Sequence, residues 1–209
     1  MTGKFNHGNT FRNQFEKNCI KLLILAYQEV INKKSIDLTW EENDITARLY
    51  EYIEKNKFRL EKGIHANVEP HLADNSLLKV KGFASKYSRI DMKFAIIKNG
   101  LEHKYFAEAK LLKEKDSALK RRYIETGIDN FKNGKYYNGC LVGYIVEGVL
   151  FNAIEGINKL LIKDQRNTEI LKKNMYKHHN EYYESHHNST LILKHLMFDF
   201  TCCGKADAA

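Results

Sequence analysis

Hydrophobic residues recur at helical spacing in several long segments of the chain. Residues 10–33 place their large apolar side chains on one side, with Thr10 as a candidate N-cap, and predict an amphipathic helix. The same spacing predicts three further helices: residues 39–57, 119–132 and 149–163. The first helix has an apolar face that is suited either to covering a sheet or to forming the seam of a dimer.

Alternating or continuous apolar runs predict the strands. A hairpin is predicted over residues 89–110, because strand-like alternation lies on each side of Asn99-Gly100, the strongest short-range hairpin signal. Further strands are predicted in three segments: residues 77–82, 140–148 and 190–200. The tyrosine- and histidine-rich residues before the last strand are predicted to form a loop.

The hairpin brings acidic residues of its two strands together. With a two-residue loop at residues 99–100, paired residue numbers add up to 199, so Asp91 lies opposite Glu108. Because side chains alternate between the faces of a strand, Arg89 and Lys110 share the face of this pair. The other face is predicted to be core and carries Ile90, Met92, Phe94, Ile96, Leu101, Tyr105, Ala107, Ala109 and Leu111.

Two facing carboxylates need a physical reason, because like charges directly opposite each other destabilise a sheet. A divalent cation between them removes the repulsion, and hard cations such as Mg²⁺ take carboxylate oxygens and water as ligands. The alternative is an amphipathic hairpin whose charged face is solvated, with Lys93 and Lys104 as neighbours. The hairpin pattern alone leaves both interpretations open.

Asp91, a gap of 16 residues and the tripeptide Glu108-Ala109-Lys110 resemble the D…ExK signature of the PD-(D/E)XK nuclease superfamily. Ile90 stands where the name of the motif has proline. The predicted order of helix, three strands, helix and strand is similar to the core of that superfamily. The segments YIETGIDNFKNGKY and GYIVEG also resemble small nuclease-like proteins of bacterial and phage-defence gene clusters.

The resemblance implies an α/β fold with a restriction-endonuclease-like core, a mixed β-sheet flanked by helices in the order αβββαβ. To this core the chain would add an N-terminal helix and a C-terminal strand. The expected organisation is one nuclease-like domain over residues 1–209, divided into a helical extension at 1–38, the core at 39–200 and a tail at 201–209.

The resemblance also implies a role for each residue of the motif. Asp91 and Glu108, with the backbone carbonyl of Ala109, would bind one or two Mg²⁺ ions, for which Mn²⁺ can substitute. Lys110 would orient the attacking water or stabilise charge that develops on the phosphate. Asp91, Glu108 and Lys110 are therefore the expected catalytic residues.

A glutamate on the helix before the sheet often completes the metal site in this superfamily. The acidic residues available there are Glu41, Glu42, Glu51 and Glu54. Glu42 lies on the apolar side of the helical wheel and is the expected metal ligand. It also fits a capping box that begins at Thr39, so its side chain has a structural alternative. Glu69, in the irregular segment before the sheet, is the fallback.

The charge balance favours a polyanionic partner. Lys and Arg number 34, and Asp and Glu number 26, which gives a formal net charge of +8. This excess suits nucleic acid, with DNA as the expected substrate and RNA left open. The residues expected to contact the phosphate backbone are Lys113, Lys120, Arg121 and Arg122.

The remaining polar residues carry weaker signals. The histidine pairs at residues 178–179 and 186–187, with His195, lack the spacing of a zinc site, and contact of a loop histidine with phosphate is the alternative. Tyr123 is predicted to pack in the core, or else to act as the tyrosine that some nuclease relatives use on the corresponding helix.

The expected activity is that of a Mg²⁺-dependent phosphodiesterase or endonuclease. The leading alternative is a catalytically inactive, nuclease-fold subunit that binds nucleic acid within a larger defence-type complex. A third is an interaction protein that dimerises through its N-terminal helix. Endo- or exonucleolytic cutting, and assembly as a homodimer or in a multi-protein complex, are left open.

The chain carries no sign of membrane insertion or secretion. No apolar run reaches the roughly 18 residues that a membrane span needs, and the opening residues are polar. The four cysteines show no metal-type spacing, which favours a reducing compartment. A soluble, cytoplasmic protein is therefore expected.

Overall fold

The computed structural model describes residues 5–70, 90–187 and 191–204, with side chains from residue 10 onward in the first helix. The helices are α1 (Phe5–Asn32), α2 (Glu42–Glu54), α3 (Lys57–Glu61), α4 (Ser117–Arg122), α5 (Asp129–Lys132) and α6 (Leu150–Lys163). The strands are β1 (His65–Val68), β2 (Met92–Lys98), β3 (Leu101–Lys113), β4 (Gly139–Glu147), β5 (Lys172–Tyr176), β6 (His179–His187) and β7 (Leu191–Asp199). None of these helices is both long and apolar enough to span a lipid bilayer.

The strands of the described residues form one seven-stranded mixed sheet in the order β1-β2-β3-β4-β7-β6-β5. The central strands β3, β4 and β7 are parallel, and the strands outside them pair antiparallel. Helices connect the parallel strands and cover the sheet, as parallel pairing requires. The expected α/β architecture, a mixed sheet flanked by helices, is confirmed.

Both faces of β3 are covered by helices. One hydrophobic cluster lies between the sheet and α1 and α2, and it takes Tyr105, Ala107 and Ala109 from β3. The other lies under α4 to α6 and takes Phe106 and Leu112. Side chains alternate along a strand, so Glu108 and Lys110 point toward the α4–α6 side. Only 7% of Glu108 and 4% of Lys110 are exposed, which makes the solvated-face interpretation wrong for this end of the hairpin.

The apolar face of α1 is used within the chain itself. Its buried side chains include Phe15, Leu22, Leu23, Ala26 and Val30, which belong to the cluster beneath the sheet. The helix is therefore a layer of the fold. The apolar side chains that suggested a dimer seam are therefore used, from residue 10 onward, mainly to cover the sheet of their own chain, which weakens the basis of the third functional alternative.

The hairpin forms with the predicted register. Asn99 and Gly100 have positive φ angles of 52° and 74°, and pairing runs from Lys98 with Leu101 to Met92 with Ala107. The ladder ends there, because β2 begins at residue 92 and Asp91 lies in a bend. The bend breaks the alternation, so Ile90 joins the α4–α6 cluster instead of the predicted face, and Leu101 is exposed at the turn.

Other elements differ from the sequence prediction. The segment predicted as a loop contains β5 and β6, and β1 was not predicted. The helix predicted over residues 39–57 forms as α2, Glu42–Glu54, and the short helix α3 that follows it was not predicted. The helix over residues 119–132 changes to π-helical geometry at Tyr123–Ile128. The strand predicted at residues 77–82 and Arg89 lie outside the described residues.

Candidate active site

The site lies at the edge of β3 that its neighbour β2 leaves open. Beyond Ala107, β3 continues to Lys113 and, among the described residues, pairs only with β4 on its other side. Backbone N–H groups on the open edge need other acceptors. Ala109 N–H donates to Asp91 Oδ2 at 2.5 Å, and Leu111 N–H donates to Glu42 Oε2 at 2.8 Å. The two carboxylates thus accept the hydrogen bonds that a neighbouring strand would otherwise accept.

Glu42 reaches this edge from the first turn of α2. The helix is capped by Glu41, whose N–H donates to Asp44 Oδ2 at 3.0 Å, so the capping box predicted from Thr39 is wrong. Thr39 instead donates its N–H and its hydroxyl to Asp37. The side chain of Glu42 is therefore available for the site, where it is only 8% exposed.

The ammonium group of Lys110 lies at the centre of the site. Its Nζ donates to Ala109 O at 2.6 Å and to Glu108 Oε1 at 2.7 Å, and it contacts Glu42 Oε1 at 3.4 Å. The stem of Lys110 packs under Gly127, where an added Cβ would lie 3.5 Å from its Cγ. Lys110 thus contacts three of the four groups expected as metal ligands, Glu108, Glu42 and the Ala109 carbonyl, and its ammonium is the cation at their centre.

Asp91 and Glu108 influence each other although they are not paired in the ladder. Burial, and next the charge of Glu108, raise the pKa of Asp91 to about 7, against the opposing effects of Lys110 and the Ala109 N–H. Burial lowers the pKa of Lys110, but the carboxylates of Glu108, Glu42 and Asp91 outweigh it and the net shift is upward. The site therefore favours a cation and disfavours a third negative charge.

Glu108 has an unused acceptor. Its Oε2 is buried and has no hydrogen-bond partner among the described residues. Burial and the charge of Glu108 raise the pKa of the Tyr136 hydroxyl, which keeps that group neutral. A buried carboxylate oxygen without a partner is costly unless something binds it.

The donor set suits a hard divalent cation, with one restriction. The oxygens come from Asp91, Glu108, Glu42 and the Ala109 carbonyl, and one of them, Glu108 Oε2, is unsatisfied. Within the described part of the chain, no group of three or more His, Cys, Asp or Glu side chains is arranged to hold a metal ion. Lys110 stands between the carboxylates, so a metal ion would have to displace its ammonium.

Arg122 and Lys113 border the site, as the sequence predicted for phosphate-binding residues. Arg122 Nη2 donates to Glu42 Oε1 at 3.1 Å, and about half of its side chain is exposed. Lys113 Nζ lies 3.5 Å from Glu147 and is also partly exposed. Both line a pocket of about 430 Å³ that includes Glu42 and Trp40.

The other two predicted phosphate contacts are used inside the protein. Lys120 is buried, and its Nζ donates to the carbonyl oxygen of Glu114, so a role in binding nucleic acid is wrong for this residue. Arg121 forms an ion pair with Asp164 at the end of α6. Helix periodicity showed both residues off the apolar face of their helix, but it gave no sign of the acceptors that α6 and the β3–α4 loop supply.

Sequence reasoning missed a buried hydrogen-bonded chain beneath the π-helical stretch. Tyr123 Oη lies 2.8 Å from His195 Nδ1, and His195 Nε2 lies 2.7 Å from Ser185 Oγ. Ser185 Oγ lies 2.6 Å from His187 Nε2, whose Nδ1 lies 2.7 Å from Glu169 Oε2. Both ring nitrogens of each histidine are occupied, so neither is free for zinc. The only sequence signal is the two-residue spacing of Tyr183, Ser185 and His187.

The charge of Glu169 sets the direction of the hydrogen bonds in this network. Burial raises the pKa of Glu169, but Arg166, Lys132 and His187 outweigh it and lower the value to about 2. The ionised carboxylate of Glu169 can only accept hydrogen bonds, so His187 Nδ1–H donates to it. The other groups then donate in the same direction: Tyr123 to His195, His195 to Ser185 and Ser185 to His187. Burial, and next the charge of His187, lower the pKa of His195 to about 3. The side chains of this buried network hydrogen-bond one another, so its role is structural, and Tyr123 is a core residue.

Comparison with known proteins adds no relative. No protein-family model, no curated protein and no solved structure matches the chain.

Proposed function

We propose that the chain is a metal-dependent nuclease with a restriction-endonuclease-like core of the PD-(D/E)XK type, which hydrolyses phosphodiester bonds in DNA. The observation that supports it most is the convergence of Glu108, Glu42 and the Ala109 carbonyl on one buried cation position, with Asp91 on the same strand edge. The element order from α2 to β4 also supports the proposal, because three strands and then a helical segment and a strand follow the helices α2 and α3, similar to the expected αβββαβ order.

The metal ion would be held by Asp91, Glu108, Glu42 and the carbonyl oxygen of Ala109, with Mg²⁺ as the expected ion and Mn²⁺ as a substitute. When bound, such an ion supplies Lewis-acid stabilisation of charge on the phosphate and lowers the pKa of water. Asp91 and Glu42 would stay anchored by the N–H groups of Ala109 and Leu111, which fixes two of the ligands in advance.

Lys110 and Arg122 would act on the phosphate. If its ammonium left the carboxylates, Lys110 would be available to donate a hydrogen bond to a phosphate oxygen or to the attacking water. Arg122 projects from the end of α4 beside Glu42 with half of its side chain in solvent. A guanidinium in that position is suited to bidentate contact with the substrate phosphate.

A second surface supports binding of a long polyanion. A pocket of about 450 Å³ between α1, α3 and the β5–β6 turn is lined by four lysines: Lys17, Lys21, Lys62 and Lys177. No acidic side chain lines it, and none of the four lysines has an ion-pair partner within the described residues. One of its lining residues, Phe58, belongs to α3, which follows α2 in the chain. In the proposed function, nucleic acid bound at the carboxylate site would also contact this pocket.

One observation favours the inactive, nucleic-acid-binding alternative. Lys110 already neutralises Glu108 and Glu42, so the fold does not require a metal ion to stabilise its buried carboxylates. In that alternative the same lysine would be a permanent structural cation. A role within a bacterial or phage-defence complex would be compatible with either activity.

Substitution of the carboxylates tests the nuclease proposal. We expect Asp91→Asn and Glu108→Gln each to reduce Mg²⁺-dependent cleavage of plasmid, linear and single-stranded DNA by about 10²- to 10³-fold, because each removes an anionic ligand. Glu51→Gln is the matched control, since Glu51 is exposed on the other side of α2 and pairs with Arg48. Full activity in a folded Asp91→Asn protein would refute the site.

Lys110 gives a prediction that separates the two functions. If its ammonium occupies the metal position, Lys110→Met removes a competing positive charge and should tighten Mn²⁺ binding about tenfold, measured by calorimetry, while cleavage is lost. Lys113→Met changes the same charge at a partly exposed position and should alter Mn²⁺ affinity little. An absence of Mn²⁺ binding in both wild type and Lys110→Met would support the permanent structural lysine.

The raised pKa of Asp91 predicts a pH-dependent stability. The folded protein keeps the Asp91 proton up to about pH 7, whereas the unfolded chain releases it near its ordinary value of 3.8. The proton on Asp91 therefore stabilises the folded protein at acid pH, and this stabilisation is lost as the pH rises toward 7. Asn does not titrate and can still accept from Ala109 N–H.

Asp91→Asn should therefore be more stable than wild type at pH 8, by about 1–3 kcal/mol after allowance for partial exposure of the site. The two proteins should converge near pH 4. The measurement is urea unfolding at both pH values in the presence of EDTA. A variant that is less stable than wild type at pH 8 would show that Asp91 is a stabilising ion-pair partner.

The lysine pocket should dominate the salt dependence of binding. Log affinity for duplex DNA falls with log salt by about 0.9 for each phosphate neutralised. Replacing Lys17, Lys21 and Lys62 by Gln in Asp91→Asn protein should flatten this slope by about two to three units in anisotropy titrations without metal. Replacing three exposed lysines elsewhere by Gln removes the same charge and should flatten the slope by less than one unit; these are Lys115, Lys163 and Lys172. Equal effects of both triple variants would reject a localised phosphate surface.

A further inference from the structure

The pocket beside the carboxylates has the chemistry of a nucleotide site. Its wall carries Trp40 from the loop before α2, Lys113 from the end of β3 and Arg122 from the end of α4, and it opens beside Glu42. Its volume of about 430 Å³ lies within the range of small-molecule pockets and is too small for a duplex. We call it the Trp40 pocket.

Trp40 is held as a rigid aromatic surface. The residue is partly buried and packs against the cluster formed by α1, α2 and the sheet, while part of it lines the pocket. An indole that is anchored on one side and accessible on the other loses little conformational entropy when a base stacks on it. Trp40 is not needed to cap α2, because Glu41 and Asp44 provide that cap.

The two cations of the pocket are available to an anion. Arg122 and Lys113 each have a carboxylate on one side, Glu42 at 3.1 Å and Glu147 at 3.5 Å, yet 52% and 37% of their side chains are exposed. The Lys113–Glu147 pair is exposed on both sides, and such pairs are weak. Glu42 is buried, but Arg122 reaches it from the solvent side and keeps donors for a second acceptor. A phosphate group would therefore find two donors next to the indole.

We propose that the Trp40 pocket binds one unpaired nucleotide of the substrate, with its base stacked on Trp40 and its phosphate held by Arg122 and Lys113. This inference rests on the proposed nuclease function and narrows its substrate to single-stranded nucleic acid or an unpaired nucleotide next to the cleaved bond. Stacking accepts any base, so the pocket selects for an unpaired strand and not for sequence.

The chain supplies its own probe, because Trp40 is the only tryptophan among its 209 residues. We expect dAMP to quench the fluorescence of the Asp91→Asn protein saturably in EDTA. Inorganic phosphate should leave the emission unchanged, and deoxyadenosine should bind more weakly than dAMP. Arg122→Gln should weaken dAMP binding by about tenfold. Lys163→Gln, an exposed lysine at the end of α6, should leave it unchanged.

Oligonucleotide binding supplies the second measurement. In anisotropy titrations Trp40→Ala should weaken binding of a labelled single strand by about tenfold and of a blunt duplex by less than twofold. Trp40→Phe keeps an aromatic surface and should retain most of the affinity, which separates lost stacking from misfolding. Absence of quenching by dAMP, or equal losses for single strand and duplex in Trp40→Ala, would overturn the inference.

The outcomes separate this inference from the proposed function. Quenching by dAMP together with absence of Mg²⁺-dependent cleavage would keep the pocket and reject the nuclease. Cleavage that Trp40→Ala leaves unchanged on single strands would keep the nuclease and reject the pocket.

Discussion

The burial of one lysine among carboxylates is the interaction on which the site depends. Lys110 is almost fully enclosed, and an unpaired charge there would cost several kcal/mol. Glu108 and Glu42 come from different elements, β3 and α2, so the ion pair ties the helix to the strand. The same contact keeps two carboxylates close together in a part of the fold that has little solvent to screen them.

The charge balance of this cluster is incomplete in a way that suits a ligand. Asp91, Glu108 and Glu42 face the cations Lys110 and Arg122, so full ionisation leaves one negative charge in excess. Burial, and next the charge of Glu108, raise the pKa of Asp91 to about 7, so the protein holds a proton there that an exposed aspartate would release. A divalent cation would satisfy Asp91 and Glu108 Oε2 together, and it would release Lys110 toward a substrate.

Local sequence signals predicted the parts of the site that short-range geometry determines. Asn99-Gly100 favoured a tight turn, and the turn fixed the register as far as the pair Met92–Ala107, next to Asp91 and Glu108. The helical wheel likewise identified Glu42. Long-range packing determined the rest: periodicity could not reveal that α6 would neutralise Arg121 or that the β3–α4 loop would bury Lys120. The strand β6 was missed because its buried positions include serine and histidine, which hydrogen bonds satisfy in place of hydrophobic contact.

Lys110 would therefore connect stability with the proposed function. Its ammonium offsets the repulsion between Glu108 and Glu42, which keeps the carboxylates of the strand edge in place. A metal ion as proposed would have to compete with that ammonium for the oxygens of Glu108, Glu42 and Ala109, so the lysine that stabilises the fold would also set the affinity for the ion. Gly127 lies against this arrangement, because a Cβ added there would come within 2.9 Å of the Leu141 side chain and would make ordinary contact, at 3.5 Å, with the Lys110 stem. The π-helical stretch therefore packs directly against the strand segment that carries the buried charge.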